Sequence, residues 1–139
     1  MTSITEIIIA KLRGDSTLRT LLGAASAATA PIFTTFIDEK TLDKQINVVL
    51  DYGLSVSFDQ TGGTHIGQVW MYIMVRDTTS EAIKAMDALS KQVITILDFK
   101  GPTWSATVQR LKKVDTEFNH YSNIDLYETR LSFEFVISE

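Results

Sequence analysis

One stretch, residues 66–97, constrains the architecture of this 139-residue chain more than any other. Residues 66–75 read as a strand. Val69, Met71, Ile73 and Val75 fall on one face, and Trp70, Tyr72 and Met74 on the other. A turn at 76–78 follows, then a helix over about 79–97. Thr78 with Glu81 forms a capping-box pattern at its start. Ala82, Met86, Leu89, Val93 and Leu97 repeat along one stripe, which Ile83 and Ile94 widen. Lys84, Asp87, Lys91 and Asp98 mark the wet side. The simplest arrangement packs this stripe on the Val69/Met71/Ile73 face. The second apolar face, Trp70-Tyr72-Met74, then requires another layer or another subunit.

The remaining segments read as cover for that pair. Ser3 with Glu6 suggests another capping box, and Ile4, Ile7, Ile8 and Leu12 share a helical face. Gly14 ends that helix. Asp15 or Ser16 caps a short second one bearing Leu18, Leu21 and Leu22, and Gly23 stops it. Residues 24–30 are small and connect to a strand at 32–37, where Pro31 favours a strand start or an edge over a strand centre. Alternation at Ile46, Val48, Leu50 and Tyr52 predicts a half-buried strand, and 55–65 reads as a polar glycine loop.

After a break at 99–103, a strand is expected over 104–114, edge-like or bulged, then a polar crossing at 115–123. A long final strand carries Tyr127, Thr129, Leu131, Phe133, Phe135 and Ile137 on its core face. The order is α-α-β-β-β-α-β-β. The expected class is α+β: a mostly antiparallel sheet with a long helix packed on one face and an N-terminal helical segment, all in one domain over 1–139.

Catalytic chemistry finds little support. With no cysteine, disulfides, thiol nucleophiles and thiolate metal sites are excluded. Asp59, His65 and Asp77 lack metal-ligand spacing, and His120 sits in a polar segment without evident partners. Ser57 and His65, with Asp51 or Asp59, lack a nucleophile elbow. Gly62-Gly63 lacks the Lys-Ser/Thr and helix of a phosphate loop. The reading is therefore no enzyme, no cofactor and no metal.

Net charge is −4, poor for holding a phosphate backbone, so sequence-specific nucleic-acid binding is not expected. Arg110, Lys112 and Lys113 suit an acidic partner, or protect an edge strand from unwanted pairing. No apolar run is long enough to cross a bilayer, and the first residues lack a signal-peptide pattern, so cytoplasmic folding is expected.

Three features carry a resemblance. They are the helix followed by Leu12-Arg13-Gly14-Asp15-Ser16-Thr17-Leu18-Arg19-Thr20-Leu21-Leu22-Gly23, the strand at 69–75 running into the helix at 80–97, and the terminal strand at 127–137. In order and length the chain resembles the siphophage tail-completion proteins, the tail-terminator and tail-to-head joining group. It departs from them at 43–48, where relatives often carry a proline before the strand.

The resemblance implies a structural virion protein at the head-proximal end of the tail. It would be a homo-hexamer that closes the tail tube, meets the tail tube protein and the head-tail connector protein, and lets DNA pass through its ring. Under it, Trp70, Tyr72 and Met74 are candidates for a sheet-face contact. Asp59, Gln60, Thr61, Gly62, Gly63 and His65 are candidates for a ring or lumen surface, and Arg110, Lys112 and Lys113 for a partner contact. The alternatives are another connector or neck protein of similar fold, or a small-ligand module or enzyme.

Overall fold

The computed structural model describes residues 4–34, 43–57, 64–76, 81–104 and 108–138, without the side chains of 50–57, 64, 65, 102 and 138. The elements in order are α1 (Ile4–Arg13), α2 (Ser16–Leu22), β1 (Ile32–Phe33), β2 (Lys44–Ser57), β3 (Thr64–Arg76), α3 (Glu81–Leu97), α4 (Gly101–Trp104), β4 (Val108–Tyr121) and β5 (Leu126–Ser138). The fold is α+β, as expected. Among the described residues five strands form one sheet in the order β1-β2-β3-β5-β4. Every pairing is antiparallel except the short parallel contact of β1 with β2.

β3 occupies the centre. It pairs along its whole length with β5, from Thr64 opposite Ser138 to Arg76 opposite Leu126. Because side chains alternate along a strand, this register fixes which residues share a face. Val69, Met71, Ile73 and Val75 join Ile46, Val48, Leu131, Phe133 and Phe135 on the inner face, all buried. The helices cover that face. The α3 stripe Ala82, Met86, Leu89, Val93 and Leu97 is buried as its spacing predicts, together with Ile4, Ile8, Leu12, Leu18 and Leu22. Ile83 departs from expectation: it stands 57% exposed, off the stripe.

Polar contacts fix the helical layer. The Asp15 carboxylate caps α2 by accepting the Leu18 N–H at 2.8 Å. The same Oδ2 accepts from Gln92 Nε2 at 2.9 Å, which ties α2 to α3. Gly23 closes α2 at φ 74°, where a side chain would be strained. Arg13 donates to the Ile32 carbonyl at 2.7 Å, fastening α1 to β1.

Several boundaries differ from the sequence expectation. β2 and β3 extend further into the predicted 55–65 loop, reaching Ser57 and Thr64, with an irregularity between Asp51 and Val56. Residues 58–63 lie outside the described residues, as do Ser3, Thr78 and residues 35–37. The predicted strand over 104–114 starts later. Gly101 to Trp104 form a helical turn, where Pro102 is compatible with the first turn of a helix. The segment 115–123 is not a crossing: β4 continues to Tyr121, and a 3₁₀ turn, Ser122–Ile124, returns the chain into β5 with Asp125 left-handed.

Gly101 is buried, and a Cβ there would meet Val108 Cγ1 at 2.6 Å and Leu111 Cβ at 3.2 Å. Gly101→Ala is expected to cost about 1–3 kcal/mol through overpacking, read as a lower urea midpoint. Asp15→Ala should cost about 1 kcal/mol from the lost cap alone, and more for the lost Gln92 contact. An unchanged urea midpoint for Asp15→Ala would contradict that role.

Candidate assembly interface

The sheet face opposite the helices follows from the same parity. Trp70, Tyr72 and Met74 from β3 stand beside Ser132, Arg130 and Glu128 of β5, and beside Val49, Asn47 and Gln45 of β2. β4 adds Lys112, Asp115, Glu117 and Asn119 opposite Glu134, Ser132, Arg130 and Glu128. Among the described side chains this face is mixed: polar and charged groups surround Trp70, Tyr72 and Met74, and Gln45, Asn47 and Met74 on it are buried.

Arg130 is its hub. Its guanidinium lies 4.9 Å from the centre of the Trp70 ring and pairs with Glu117 at 2.8 Å and Asp115 at 3.6 Å. Trp70 and Tyr72 meet edge to face at 6.3 Å. Stacking of a guanidinium on indole leaves its fork free for carboxylates, which an ammonium would not match. Arg130 Nε is buried without a hydrogen-bond partner among the described residues. Burial raises the Tyr72 pKa above its ordinary 10.0, partly offset by the charge of Arg130.

A second polar group lies toward the β4–β5 turn. Glu128 is buried beside Met74 and stands opposite Asn119 of β4. Burial pushes its pKa above the ordinary 4.5, and the Glu117 carboxylate adds to that. The charge of Glu128 in turn raises the Tyr121 pKa. Across β3, Gln45 and Asn47 are fully buried; Gln45 Nε2 donates to Asn47 Oδ1 at 3.4 Å.

The structure thus brings some of the sequence candidates together and separates others. Trp70 and Tyr72 sit half-buried on the outer face, and Met74 is buried there. Arg110 is on the same side of β4, paired with Glu134 at 3.7 Å, and Lys112 stands opposite Glu134. Lys113 lies opposite Phe133, on the inner-face parity. His65 is a β3 position opposite Ser57 and Ile137; Asp59, Gln60, Thr61, Gly62 and Gly63 lie outside the described residues.

Sequence reasoning missed Arg130, Glu128, Asp115 and Glu117. The signal was the alternation of Thr116, Phe118 and His120 against Asp115, Glu117 and Asn119, which marks a strand.

On the inner-face side, a groove of about 190 Å³ runs between α3 and β4, lined in part by Ile83, Met86, Thr116 and Phe118. His120 stacks on Tyr127 at 4.0 Å next to it. A second groove of about 470 Å³ lies between the end of α2 and the start of β2. Among the described residues neither groove is lined by a histidine. Among the described residues no cluster of three His, Cys, Asp or Glu could hold a metal, and no helix is long and apolar enough to cross a membrane. The arrangement is suited to contact.

No family model matches the sequence, and no curated protein does. Among solved structures, a chain from the virion of a native gene transfer agent particle superimposes with a TM-score of 0.77 at 12% identity. The match covers 99% of this chain and 96% of that one. At that identity the likeness is one of fold.

The raised Glu128 pKa carries a sign. A carboxyl that holds its proton more tightly when folded favours the fold fully below the unfolded pKa, and that contribution is lost as pH rises through the folded value. Glu128→Gln should therefore gain stability relative to the wild type as pH rises from about 4 to about 7. Parallel denaturation curves at all pH values would contradict this.

Proposed function

We propose that this chain is a structural, non-enzymatic virion protein that completes the tail tube of a tailed-phage-like particle. In this reading it forms a homo-hexameric ring at the head-proximal end of the tail. One surface of the ring meets the tail tube protein and the other meets the head-tail connector protein, and DNA passes through the centre.

The observation that carries the reading is the end-to-end likeness of fold to a chain of a gene transfer agent virion. The resemblance of the helix–turn–helix at 4–23 and of the two long strands to tail-completion proteins supports it independently. The net charge of −4 suits a channel that DNA must traverse without sticking. The outer sheet face, with Trp70, Tyr72 and Arg130 on rigid strands, has the composition of a protein contact, in which Trp, Tyr and Arg dominate.

The test is the mass of the chain in solution and after incubation with purified tails that lack a terminator. A sixfold assembly, alone or on the tail end, is expected. Replacing Tyr72 by Arg should reduce incorporation about tenfold or more while leaving the melting temperature within a few degrees. A chain that remains monomeric both in concentrated solution and with tails overturns the reading. Capture by purified connectors but not by tails would place the chain in the neck instead.

A further inference from the structure

β4 is the long outer edge of the sheet, and the chain treats its two halves differently. The first half is guarded. The Leu111 carbonyl accepts the Phe99 N–H at 2.9 Å, and the Lys113 N–H donates to Asp98 Oδ1 at 2.8 Å. The α3–α4 connection therefore occupies hydrogen-bonding groups that a partner strand would need. This half also carries a register shift between Val108 and Arg110, and a second shift between Lys113 and Asp115 closes it. Bulges and occupied backbone groups are the devices by which proteins blunt sheet edges.

From Asp115 to Tyr121 the situation reverses. The register with β5 runs without interruption from Asp115 opposite Ser132 to Tyr121 opposite Leu126. No element pairs with the outer side of this segment among the described residues. It is also where apolar side chains are exposed: Phe118 is 52% exposed, and Ile83 flanks it across the groove. A regular, unguarded edge beside exposed apolar groups is a template for strand addition.

The sequence of this segment is complementary to itself. In antiparallel pairing about a two-fold axis at Phe118, Phe118 faces Phe118 of the second copy. Glu117 then faces Asn119, Thr116 faces His120, and Asp115 faces Tyr121. No like charges are opposed, and each carboxylate faces a side chain that donates a hydrogen bond. An axis normal to the sheet keeps both helical layers on the same side. The two Phe118 rings then meet between two α3 helices, each with its Ile83 at hand.

We infer that residues 115–121 of β4 pair antiparallel with the same residues of a second copy, making a two-fold dimer with a continuous sheet. This goes beyond the ring reading. A two-fold contact is isologous and does not build a sixfold ring, so it belongs to the chain before it joins a tail.

The chain contains no cysteine, so Phe118→Cys gives a single reporter at the axis. Directly opposed strand residues lie within disulfide reach. Under mild oxidation Phe118→Cys should form intermolecular disulfide at least about tenfold faster than Phe99→Cys, a control at another exposed phenylalanine on the guarded side. Sedimentation of the wild type should show a concentration-dependent dimer. Phe118→Lys, which sets two ammonium groups face to face, should weaken it about tenfold or more with the melting temperature retained.

Equal crosslinking rates for the two cysteine variants, or a Phe118→Lys chain that dimerises like the wild type, would overturn the inference. A wild type that stays monomeric at every concentration would also overturn it and leave the edge to a strand from another protein. Sixfold assembly on tails by Phe118→Lys would support the ring and, alongside a lost dimer, assign the two contacts to different surfaces.

Discussion

The structure depends on the pairing of β3 with β5. The whole of β3, 13 residues, is in register with β5 without a bulge. That continuity sets the parity of every side chain in the centre of the sheet. A slip of β3 by one residue would send Val69, Met71 and Ile73 to the outer face and bring Trp70 and Tyr72 under the helices. The cost would be the lost apolar burial and the loss of the cross-strand partners of Trp70 and Tyr72 on β5. The alternation of the sequence thus selects one register, and that register determines where the helices dock.

The large apolar core sits on the helix side. Phe133, Met71, Ile73, Leu89 and Leu97 are fully or almost fully buried there, and the polar contacts of Asp15 and Arg13 anchor helices rather than bind anything external. The other face holds its charges in neutralising groups: Arg130 with Asp115 and Glu117, and Arg110 with Glu134. Such a face is preorganised. Its aromatic and guanidinium groups are already held by neighbours, which lowers the entropy cost of meeting a partner. The edge of the sheet shows the same division, with one half of β4 closed by Asp98 and Phe99 and the other half open.

Much of this was legible from the chain alone. The α3 stripe, both apolar faces of β3, the cap at Asp15 and the stop at Gly23 all rest on local periodicity or local hydrogen bonding. The misread parts depend on contacts distant in sequence. The polar run from Asp115 to Asn119 resembles a loop until Arg130 and Glu128 are placed beside it; only then are its carboxylates seen as one side of a strand. Asp98 resembles a solvent-facing helix residue until the Lys113 N–H is set against it. Ile83 fits the helical stripe by spacing, but the stripe is narrower than the helix, and the groove to β4 leaves that side open. The candidate contact at Trp70 and Tyr72 was visible as a second apolar face; its polar partners on β5 were not.

In the proposed reading the inner face makes the fold and the outer face makes the assembly, a reading supported by the end-to-end likeness of fold to a virion chain. The most direct measurement is an electron cryomicroscopy map of the tail end assembled with this chain. The account predicts a sixfold ring capping the tube, with the Trp70/Tyr72/Arg130 face against a neighbouring subunit or the tube. A map that places this chain elsewhere in the particle, or a ring in which that face is turned to solvent, would contradict it.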